Sequence, residues 1–362
     1  KTVVKIKSAK RQNYFIAFLK MLDKVIFRVD VGLDVGIGHF MRCVALGQGF
    51  KKRGVQPFFV INDLPPSIAD ICKKEKFLVK SISHTIGSKN DGKNLIQICK
   101  EINPQLIVVD GYRFGLDYLK FIKENGIKIL FIDDLGSDSA IPSDFILNQN
   151  ISAKESMYQN NTSVSKLFLG NDFVLIRSEF LDRKFLKRNL SNTKDLLITL
   201  GGSDQENVTM LALQSMDKKF FDLFNITVVL GPMNVHYDEI NRKFGKNSNI
   251  DIQCNVTNMA ELISSSDLVL TVPGVTVWEI LFFAIPTITI TISENQKNNA
   301  MELEKKGAII SLGNYSKLVP KSLNESLMML IDSEDRRKEL SYKAGKVVDG
   351  LGVERIITKV MA

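Results

Sequence analysis

The sequence predicts an α/β protein with two doubly wound, Rossmann-like domains that face a shared cleft. Short apolar runs alternate with segments of helical apolar spacing along the chain, a pattern typical of parallel sheets covered by helices on both faces. This alternation occurs twice, with an irregular polar stretch from Ser152 to Lys194 between the two series. The length of 362 residues is sufficient for two domains of ordinary size.

Each strand is predicted from a short apolar run that ends at a polar or glycine-containing turn. In the first series the runs are Val25–Val29, Phe58–Ile61, Leu106–Val109, Ile127–Ile132 and Phe145–Asn148. In the second series they are Leu196–Leu200, Ile226–Leu230, Leu268–Thr271 and Thr287–Ile292. From this pattern we predict a basic N-terminal extension at 1–20, a first domain at 21–165, a linker region at 166–193 and a second domain at 194–362.

The composition argues against several classes of protein. The four cysteines are scattered and form no CxxC pair, which disfavours a structural zinc site or a disulfide framework and fits a cytoplasmic location. With three histidines and no HExxH motif, a catalytic zinc is not expected, and no cofactor is predicted. No apolar run reaches the ~18–20 residues that a membrane span needs, so no stable membrane insertion is predicted.

The basic character of the chain, with a pI of about 9.1, is concentrated at its beginning. Residues 1–20 carry six basic side chains and no acidic one, out of a net charge of +8. The basicity therefore belongs mostly to an extension, and we predict no nucleic-acid partner. Because this extension also contains Tyr14, Phe15 and Phe18, an alternative interpretation is a basic amphipathic anchor at a membrane surface.

The most informative motif is the glycine-rich turn Asp34–Cys43, which follows the first predicted strand and leads into a helical pattern at Met41–Arg53. Gly36 and Gly38 let the backbone approach a ligand, and the N-terminus of the following helix favours an anion. His39 stands near the start of that helix, where an imidazole can meet the reacting atom of a ligand. The alternative is a structural role for His39 as a helix cap. The full dinucleotide fingerprint G-x-G-x-x-G is absent.

Two further motifs follow strands of the second series. Gly201–Asp204 leads into a helix predicted from about Gln205, where backbone N–H groups can hold a diphosphate; the alternative is a helix-capping role for Ser203 or Asp204. Glu279 lies one turn into a predicted helix and has apolar neighbours, so the two hydroxyls of a ribose are a suitable partner for it. The alternative is an acid on the exposed face of that helix.

In the first series, Tyr112 follows a strand end and is expected to offer its hydroxyl to the cleft; the alternative is an aromatic residue at the rim. Asp133 and Asp134 form either a paired acid/base unit or an ordinary strand-end turn. His84 and His236 lie in polar, loop-like contexts and are interpreted as surface residues. Because ligands of such sheets bind beyond the carboxyl ends of strands, the strand-end motifs of both halves predict one interdomain site.

The order and spacing of the motifs from about Met21 to about Gly313 resemble a known family. The motifs are Gly36-Ile-Gly38-His39-Phe-Met-Arg42-Cys43, Asp110-Gly-Tyr112, Ile132-Asp-Asp-Leu135, Asn148-Gln149-Asn150, Phe168-Leu-Gly170, Leu175-Ile-Arg177-Ser-Glu179-Phe180, Leu200-Gly-Gly-Ser-Asp204, Leu230-Gly231, Met259-Ala-Glu-Leu262, Trp278-Glu279 and Glu294-Asn295-Gln296. They resemble the PseG family, UDP-2,4-diacetamido-2,4,6-trideoxy-β-L-altropyranose hydrolases of pseudaminic acid biosynthesis, and the related SpsG proteins of spore-coat polysaccharide.

The resemblance implies the GT-B architecture, shared with the lipid II-forming N-acetylglucosaminyltransferases. UDP would be held mainly by the C-terminal domain, with the sugar facing the N-terminal domain. It also implies that His39 is catalytic, that Tyr112 is an active-site tyrosine and that Glu279 binds the ribose. The predicted substrate- and UDP-binding residues are Gly36, Gly38, Arg42, Gly202, Ser203, Gly274, Thr276, Glu279, Asn295 and Gln296.

One loop departs from the pattern of the family, which usually has a small glycine- or serine-rich loop before Thr-x-x-Glu. Here that loop is Val272-Pro-Gly-Val-Thr276. Pro273 removes a backbone donor and Val275 adds bulk, so the departure bears on diphosphate geometry and sugar specificity.

The resemblance implies hydrolysis of a UDP-linked diacetamido-trideoxy sugar at its anomeric C–O bond, and we predict release of the free sugar and UDP with inversion at C1. His39 would take a proton from the attacking water, and Tyr112 would position the water or the sugar. N–H groups at Gly202 and Ser203 would stabilise the departing diphosphate, without a metal. The alternatives are an inverting GT-B glycosyltransferase with a UDP-sugar donor and a non-catalytic nucleotide-sugar-binding protein; the oligomeric state is left open.

Overall fold

A computed structural model describes residues 22–32, 35–62, 64–161, 165–183 and 189–362. The predicted N-terminal extension at 1–20 and Asp34 of the glycine-rich turn lie outside these residues. The described chain forms two parallel β-sheets, of seven and six strands, with helices in the connections. The predicted fold class is therefore confirmed.

The seven-stranded sheet has the order β3-β2-β1-β4-β5-β6-β7. Its strands are β1 Lys24–Val29, β2 Gln56–Ile61, β3 Leu78–Ser81, β4 Leu106–Asp110, β5 Lys128–Ile132, β6 Phe145–Asn148 and β7 Lys166–Leu169. The six-stranded sheet has the order β10-β9-β8-β11-β12-β13. Its strands are β8 Asp195–Thr199, β9 Asn225–Leu230, β10 Ile250–Cys254, β11 Leu268–Thr271, β12 Thr287–Thr291 and β13 Ile310–Asn314.

The helices connect successive strands or follow the last one. They are α1 Gly38–Lys52, α2 Pro66–Glu75, α3 Lys89–Ile102, α4 Leu116–Glu124, α5 Ser178–Leu181, α6 Val208–Ser215, α7 Lys218–Leu223, α8 Tyr237–Phe244, α9 Met259–Ser265, α10 Val275–Phe282, α11 Glu294–Lys305, α12 Pro320–Asp332, α13 Glu334–Ala344 and α14 Gly352–Met361. Short 3-10 helices lie at Glu155–Tyr158, Asn171–Phe173 and Tyr315–Lys317. No helix of the described residues is long and apolar enough to cross a membrane.

The central strands form where the sequence has continuous apolar runs because both faces of each sheet are covered. In β1, Phe27 packs into the cluster that contains α1 side chains, and its neighbour Ile26 packs into the opposite cluster with α3 and α4. In both sheets the strand order reverses beside the first strand, between β1 and β4 and between β8 and β11. Such a reversal opens a crevice at the carboxyl ends of the strands, where ligands bind.

The structure assigns two segments differently from the predicted domain boundaries. Strand β7 lies in the predicted linker region, yet it pairs with β6 and completes the first sheet. Helix α14 lies in the predicted second domain, yet Ile356 and Ile357 are buried in the core cluster of the first sheet. The helix packs closely because α1 carries a glycine at Gly49, where a Cβ atom would lie 2.3 Å from Val353 Cγ1. The division into two domains stays a proposal, with these segments placed in the first.

Candidate active site

One cavity of about 690 Å³ lies between loops that follow strands of both sheets. Every residue predicted to react with or bind the ligand lines it: Gly36, Gly38, His39, Arg42, Tyr112, Gly202, Ser203, Gly274, Thr276, Glu279, Asn295 and Gln296. The fold thus brings the strand-end motifs of both halves together. The role of each residue stays a prediction.

The glycine-rich turn leads into helix α1, which begins at Gly38 rather than at Met41. Gly36 has a φ of 69°, a left-handed conformation that glycine adopts without strain. His39 therefore lies in the first turn of α1, where it is 6% exposed. Ile37 occupies the N-cap position, and the helix has no side-chain cap. The alternative in which His39 caps the helix is wrong.

The imidazole of His39 is held by the carboxylate of Asp110, which the sequence analysis named only as part of the motif Asp110-Gly-Tyr112 and gave no role. His39 Nδ1 lies 2.7 Å from Oδ1 of Asp110, the fully buried last residue of β4. Arg42 Nη2 also lies 3.0 Å from Nδ1, but its two hydrogens are matched by Asp110 Oδ1 at 2.6 Å and Asp134 Oδ2 at 2.9 Å. Nδ1–H is therefore the donor to Asp110, and Nε2 carries the lone pair.

Arg42 does not have the surroundings expected of a side chain that binds phosphate. Its guanidinium is 3% exposed and donates to both oxygens of Asp110 and both oxygens of Asp134, at 2.6 to 2.9 Å. Burial alone would raise the pKa of Asp110, but Arg42 and then His39 outweigh burial and hold that pKa well below its usual range. The geometry indicates that Arg42 holds two carboxylates together. It favours this role over the predicted role of Arg42 as a UDP ligand.

Tyr112 links the two halves of the chain. Its hydroxyl donates to Asp134 at 3.0 Å and accepts from Asn295 Nδ2 of helix α11 at 2.7 Å. Its ring meets that of His39 edge-on, with 4.8 Å between the ring centroids. Tyr112 is 46% exposed, so it stands at the rim and also reaches into the cavity. This exposure agrees with the interpretation of Tyr112 as a rim residue, and the offer of its hydroxyl to a ligand stays a prediction.

Asp133 and Asp134 do not form a paired acid/base unit. Asp133 accepts from the N–H groups of Leu135 and Gly136 and from Tyr158, as a turn residue does. Asp134 faces Arg42, which outweighs the effect of burial and lowers the pKa of Asp134. The two carboxylates thus have separate hydrogen-bond partners. The strand-end-turn alternative is therefore correct for Asp133.

Glu279 is 2% exposed, so the alternative of a surface acid is wrong. Its carboxylate accepts two hydrogen bonds from Arg177, from Nε at 2.7 Å and from Nη2 at 3.0 Å. Burial raises the pKa of Glu279, while Arg177 acts in the opposite direction. Both residues line the cavity. Because a carboxylate has about four acceptor positions, Glu279 can still take ribose hydroxyls, and this role stays a prediction.

The turn after β8 leads towards helix α6 and lines the cavity. Asp204 accepts from the N–H groups of Val208 at 2.8 Å and Thr209 at 3.0 Å. Asp204 thus binds the first N–H groups of helix α6, which begins at Val208 rather than near Gln205, although the N-cap position itself is Asn207. Ser203 lines the cavity beside Gly202.

The loop that departs from the family pattern faces the glycine-rich turn. A Cβ atom at Gly38 would lie 3.3 Å from Cγ2 of Val275, and one at Gly202 would lie 3.1 Å from Cγ1 of Ile37. The two glycines thus allow the first turn of α1 to approach both loops of the second sheet. Gln296 Oε1 accepts from the N–H group of Ile292 at 3.0 Å, which holds the start of α11 against the end of β12.

The side chains around the cavity do not form an evident metal centre. Within the described ranges, no group of three or more His, Cys, Asp or Glu side chains is arranged to hold a metal ion. Cys43 donates to Asp110 Oδ2 at 3.4 Å, and burial, followed by the charge of Asp110, raises the pKa of its thiol. Cys43 is therefore a hydrogen-bond donor to the carboxylate. Independence from metal stays an expectation.

Two parallel, doubly wound sheets whose strand ends face a common cavity define the GT-B architecture. The chain matches S. aureus MnaA, solved with UDP, with a TM-score of 0.68 and 14% identity, over 93% of this chain and 96% of that one. It matches Acinetobacter baumannii MurG with a TM-score of 0.63 and 13% identity, over 93% and 99%. At such low identity these similarities concern the fold alone.

The sequence comparisons identify relatives of this chain within the class of proteins with GT-B architecture. Residues 196–354 match the Glycosyltransferase family 28 C-terminal domain. The UDP-2,4-diacetamido-2,4,6-trideoxy-beta-L-altropyranose hydrolase of Campylobacter jejuni is 28% identical over 287 residues, which cover 78% of this chain and 97% of that protein. The spore coat polysaccharide biosynthesis protein SpsG of Bacillus subtilis is 24% identical over 335 residues, which cover 90% and 94%. The chain is a homologue of both, and its resemblance to the PseG and SpsG proteins is confirmed.

A third relative is longer than this chain. The uncharacterized protein MJ1062 of Methanocaldococcus jannaschii is 30% identical over 284 residues, which cover 76% of this chain and 57% of that protein. The chain therefore spans little more than half the length of this relative.

Proposed function

We propose that this protein is a hydrolase that cleaves a UDP-linked diacetamido-trideoxy sugar at the anomeric C–O bond and releases the free sugar and UDP. The observation that carries the proposal is the pairing of His39 with buried Asp110 at a cavity lined from both sheets. The homology to a hydrolase named for such a substrate, over 97% of its length, supports the choice of substrate class.

His39 acts as the general base. Because Nδ1–H is donated to Asp110, Nε2 is available to take a proton from water. The water oxygen forms a bond to C1 of the sugar while its proton passes to Nε2. The bond between C1 and the phosphate oxygen breaks, and its electron pair leaves with UDP. Asp110 remains ionised and stabilises the imidazolium that results.

The departing diphosphate is stabilised by helix ends. The first residues of α1, α10 and α11, namely Gly38, Val275 and Glu294, all line the cavity. The N-terminus of a helix carries a partial positive charge and unpaired N–H groups, which favour an anion. The arginines at the cavity, Arg42 and Arg177, already face carboxylates, so the helix ends and turn N–H groups are left to meet the new charge.

The test is UDP release from a panel of UDP-2,4-diacetamido sugars without an added acceptor. We expect turnover, and we expect His39→Ala to lower kcat by roughly 10²–10⁴-fold, the range for loss of a general base. His84→Ala is the matched control, because His84 is exposed and lies outside the cavity. Full activity of His39→Ala would overturn the mechanism.

The position of bond cleavage gives a second test. In ¹⁸O-water, attack at C1 places the label in the sugar and leaves UDP unlabelled, and a single displacement inverts the anomeric configuration. Attack at phosphorus usually relies on metal ions or clustered cations. Label in UDP would show attack at the phosphorus that carries the sugar, and activity abolished by EDTA would show a metal requirement; either result would overturn the mechanism.

One observation favours a second candidate function, an inverting glycosyltransferase. Residues 196–354 match a domain named for glycosyltransferases. The same His39–Asp110 pair would then activate an acceptor hydroxyl in place of water. UDP release that requires an added acceptor would establish transfer in place of hydrolysis.

A further inference from the structure

A second, smaller cavity of about 180 Å³ adjoins the candidate catalytic centre. It lies between the loop that follows β4 and the loop that follows β5. His39, Tyr112, Asp134 and Leu135 line both cavities. A substituent on a sugar held at His39 is therefore close enough to enter the smaller cavity while the anomeric carbon stays in the larger one.

The wall of this cavity suits an aliphatic group. Leu116, Leu119, Phe131 and Ile141 are among its lining residues. Its polar side chains, His39 apart, already have partners within the protein. Asp133 accepts hydrogen bonds from two N–H groups and from a tyrosine hydroxyl. The carboxylate of Asp134 accepts a hydrogen bond from the hydroxyl of Tyr112. The hydroxyl of Ser137 donates to the carbonyl of Ser139 and accepts from its N–H group. A sugar hydroxyl buried here would have to displace hydrogen bonds that these side chains already make within the protein. This disfavours burial of a hydroxyl in the cavity.

The rim of the cavity also carries large apolar side chains that are exposed among the described residues. Tyr112, Leu116 and Leu135 are 46%, 40% and 61% exposed, and all three line the cavity. An aliphatic ligand group would remove part of this surface from water, which is favourable. An apolar cavity of roughly 150 Å³ can hold a molecule as large as benzene, so the volume of about 180 Å³ exceeds what one methyl group needs.

We propose that this cavity is a subsite for one N-acyl group of the amino sugar, and that it accepts acyl chains longer than acetyl. The inference rests on the proposed function, because it takes the sugar to lie at His39. The specificity-determining element is then the apolar wall between α4 and the loop after β5, with Leu116 at its rim.

The test compares three UDP-sugars: the 2,4-diacetamido sugar and the two analogues in which one acetyl group is replaced by butanoyl. The blocking variant is Gly115→Leu. Gly115 lines the cavity, its φ of −76° and ψ of 173° suit any residue, and a Cβ atom there has no other atom within 4 Å. Gly115→Ser is the matched control at the same position, because serine is small and is favoured at an N-cap. Leu116→Trp is a second blocking variant, and Leu223→Trp, at an exposed leucine on α7, is its control.

In the unmodified protein we expect one butanoyl analogue to be hydrolysed with a kcat/KM at least equal to that of the diacetamido sugar. Gly115→Leu and Leu116→Trp should lower the kcat/KM for that analogue by roughly tenfold more than for the diacetamido sugar, the scale of discrimination by an apolar pocket. Gly115→Ser and Leu223→Trp should preserve the preference. If both butanoyl analogues are poor substrates, or if Gly115→Leu affects all three sugars equally, the proposal is overturned.

A failure of the proposed function is distinguishable from a failure of the subsite. If no sugar releases UDP, the Kd values of the same analogues for the unmodified protein and for Gly115→Leu decide whether the cavity holds the acyl chain. If UDP release requires an apolar alcohol and Gly115→Leu weakens the use of that alcohol alone, the cavity serves an acceptor and the proposal is wrong.

Discussion

Asp110 joins three side chains at the centre of the candidate site: it accepts from His39, from Arg42 and from the thiol of Cys43. It lies at the end of β4, directly beside β1 in the sheet. The backbone therefore fixes its position relative to the first turn of α1. Arg42 completes the arrangement, because it holds Asp110 and Asp134 at a fixed separation.

Asp110→Asn is predicted to lower kcat by about 10²–10⁴-fold. The asparagine can present an N–H group to His39 Nδ1, which would move the imidazole proton to Nε2 and remove the base. The measurement is kcat together with the Kd of UDP, which should change little. Asp91→Asn is the matched control, because Asp91 is equally buried and paired with Arg28, outside the cavity. If Asp91→Asn lowered kcat as much as Asp110→Asn, Asp110 would have only a structural role.

Glu279→Gln is predicted to weaken UDP binding by about 1–3 kcal/mol, the cost of losing hydrogen bonds to a charged group. Glutamine keeps the shape of the side chain, so the helix should remain intact. Calorimetry with UDP alone provides the measurement. Glu179→Gln is the control, because Glu179 also faces Arg177, at 2.7 Å, but does not line the cavity. An unchanged Kd for Glu279→Gln would assign this residue to the support of Arg177.

At the scale of elements, helix α14 ties the end of the described chain to the first sheet. It contacts α1, which carries His39 and Arg42, so its packing supports the helix that positions the site. The apolar face of α14 enters the core cluster beside Gly49. Helix α1 is thus packed against a segment that follows the second sheet in sequence.

Ile357→Ala is predicted to lower the free energy of unfolding by about 2–5 kcal/mol, because it leaves a cavity at a side chain that is 1% exposed. Urea denaturation gives the measurement. Lys359→Ala, an exposed position on the same helix whose ammonium lies 5.6 Å from the ring centroid of Phe173, is the control and should change stability by about 1 kcal/mol or less. Equal effects of the two changes would mean that α14 does not pack on α1 in solution.

At the scale of the whole molecule, hydrogen bonds link distant parts of the chain, and two of them join loops that follow strands of the first sheet to helix α11 beside the cavity. Asn299 Nδ2 of α11 donates to Asn150 Oδ1 at 2.7 Å, and Asn295 of the same helix donates to Tyr112. The backbone N–H group of Ser178 donates to Gln48 of α1 at 2.7 Å. Helix α11 therefore contributes to the cavity and to the contact between the halves.

Stability is predicted to fall at acidic pH. Because the pKa values of Asp110 and Asp134 are lowered in the folded protein, the unfolded chain binds more protons below its carboxyl pKa of about 4. Their contribution is fully present above that pH and is lost as the pH falls through the folded pKa values. Urea denaturation between pH 7 and pH 3 measures the first part of this loss, because the folded pKa of Asp110 lies well below its usual range. Asp134→Asn should be less stable at pH 7 and show a shallower fall, whereas Asp70→Asn, at an exposed carboxylate, should follow the unmodified protein. Identical slopes for all three would contradict the prediction.

The sequence by itself predicted the α/β class and the central strands, because these strands are buried on both faces and so read as continuous apolar runs. β6 and β11 have the predicted bounds. It did not predict β3, β7, β10 and β13, which are the edge strands of the two sheets. An edge strand is covered less completely, so partly exposed residues interrupt its apolar pattern, as in β3 and β13.

The sequence also placed the candidate site at the strand ends, because turn and glycine motifs are local features that follow each strand. The contacts between side chains in the candidate site depend on the tertiary structure and could not be predicted from these local features. Asp110 lies 71 positions from His39, Asp134 lies 92 from Arg42, and Arg177 lies 102 from Glu279. Periodicity and turn chemistry report the environment of a residue over a few neighbours, whereas these ion pairs depend on strand order and on the approach of two sheets. That is why His39 was identified from its motif, while the carboxylate that orients it was not.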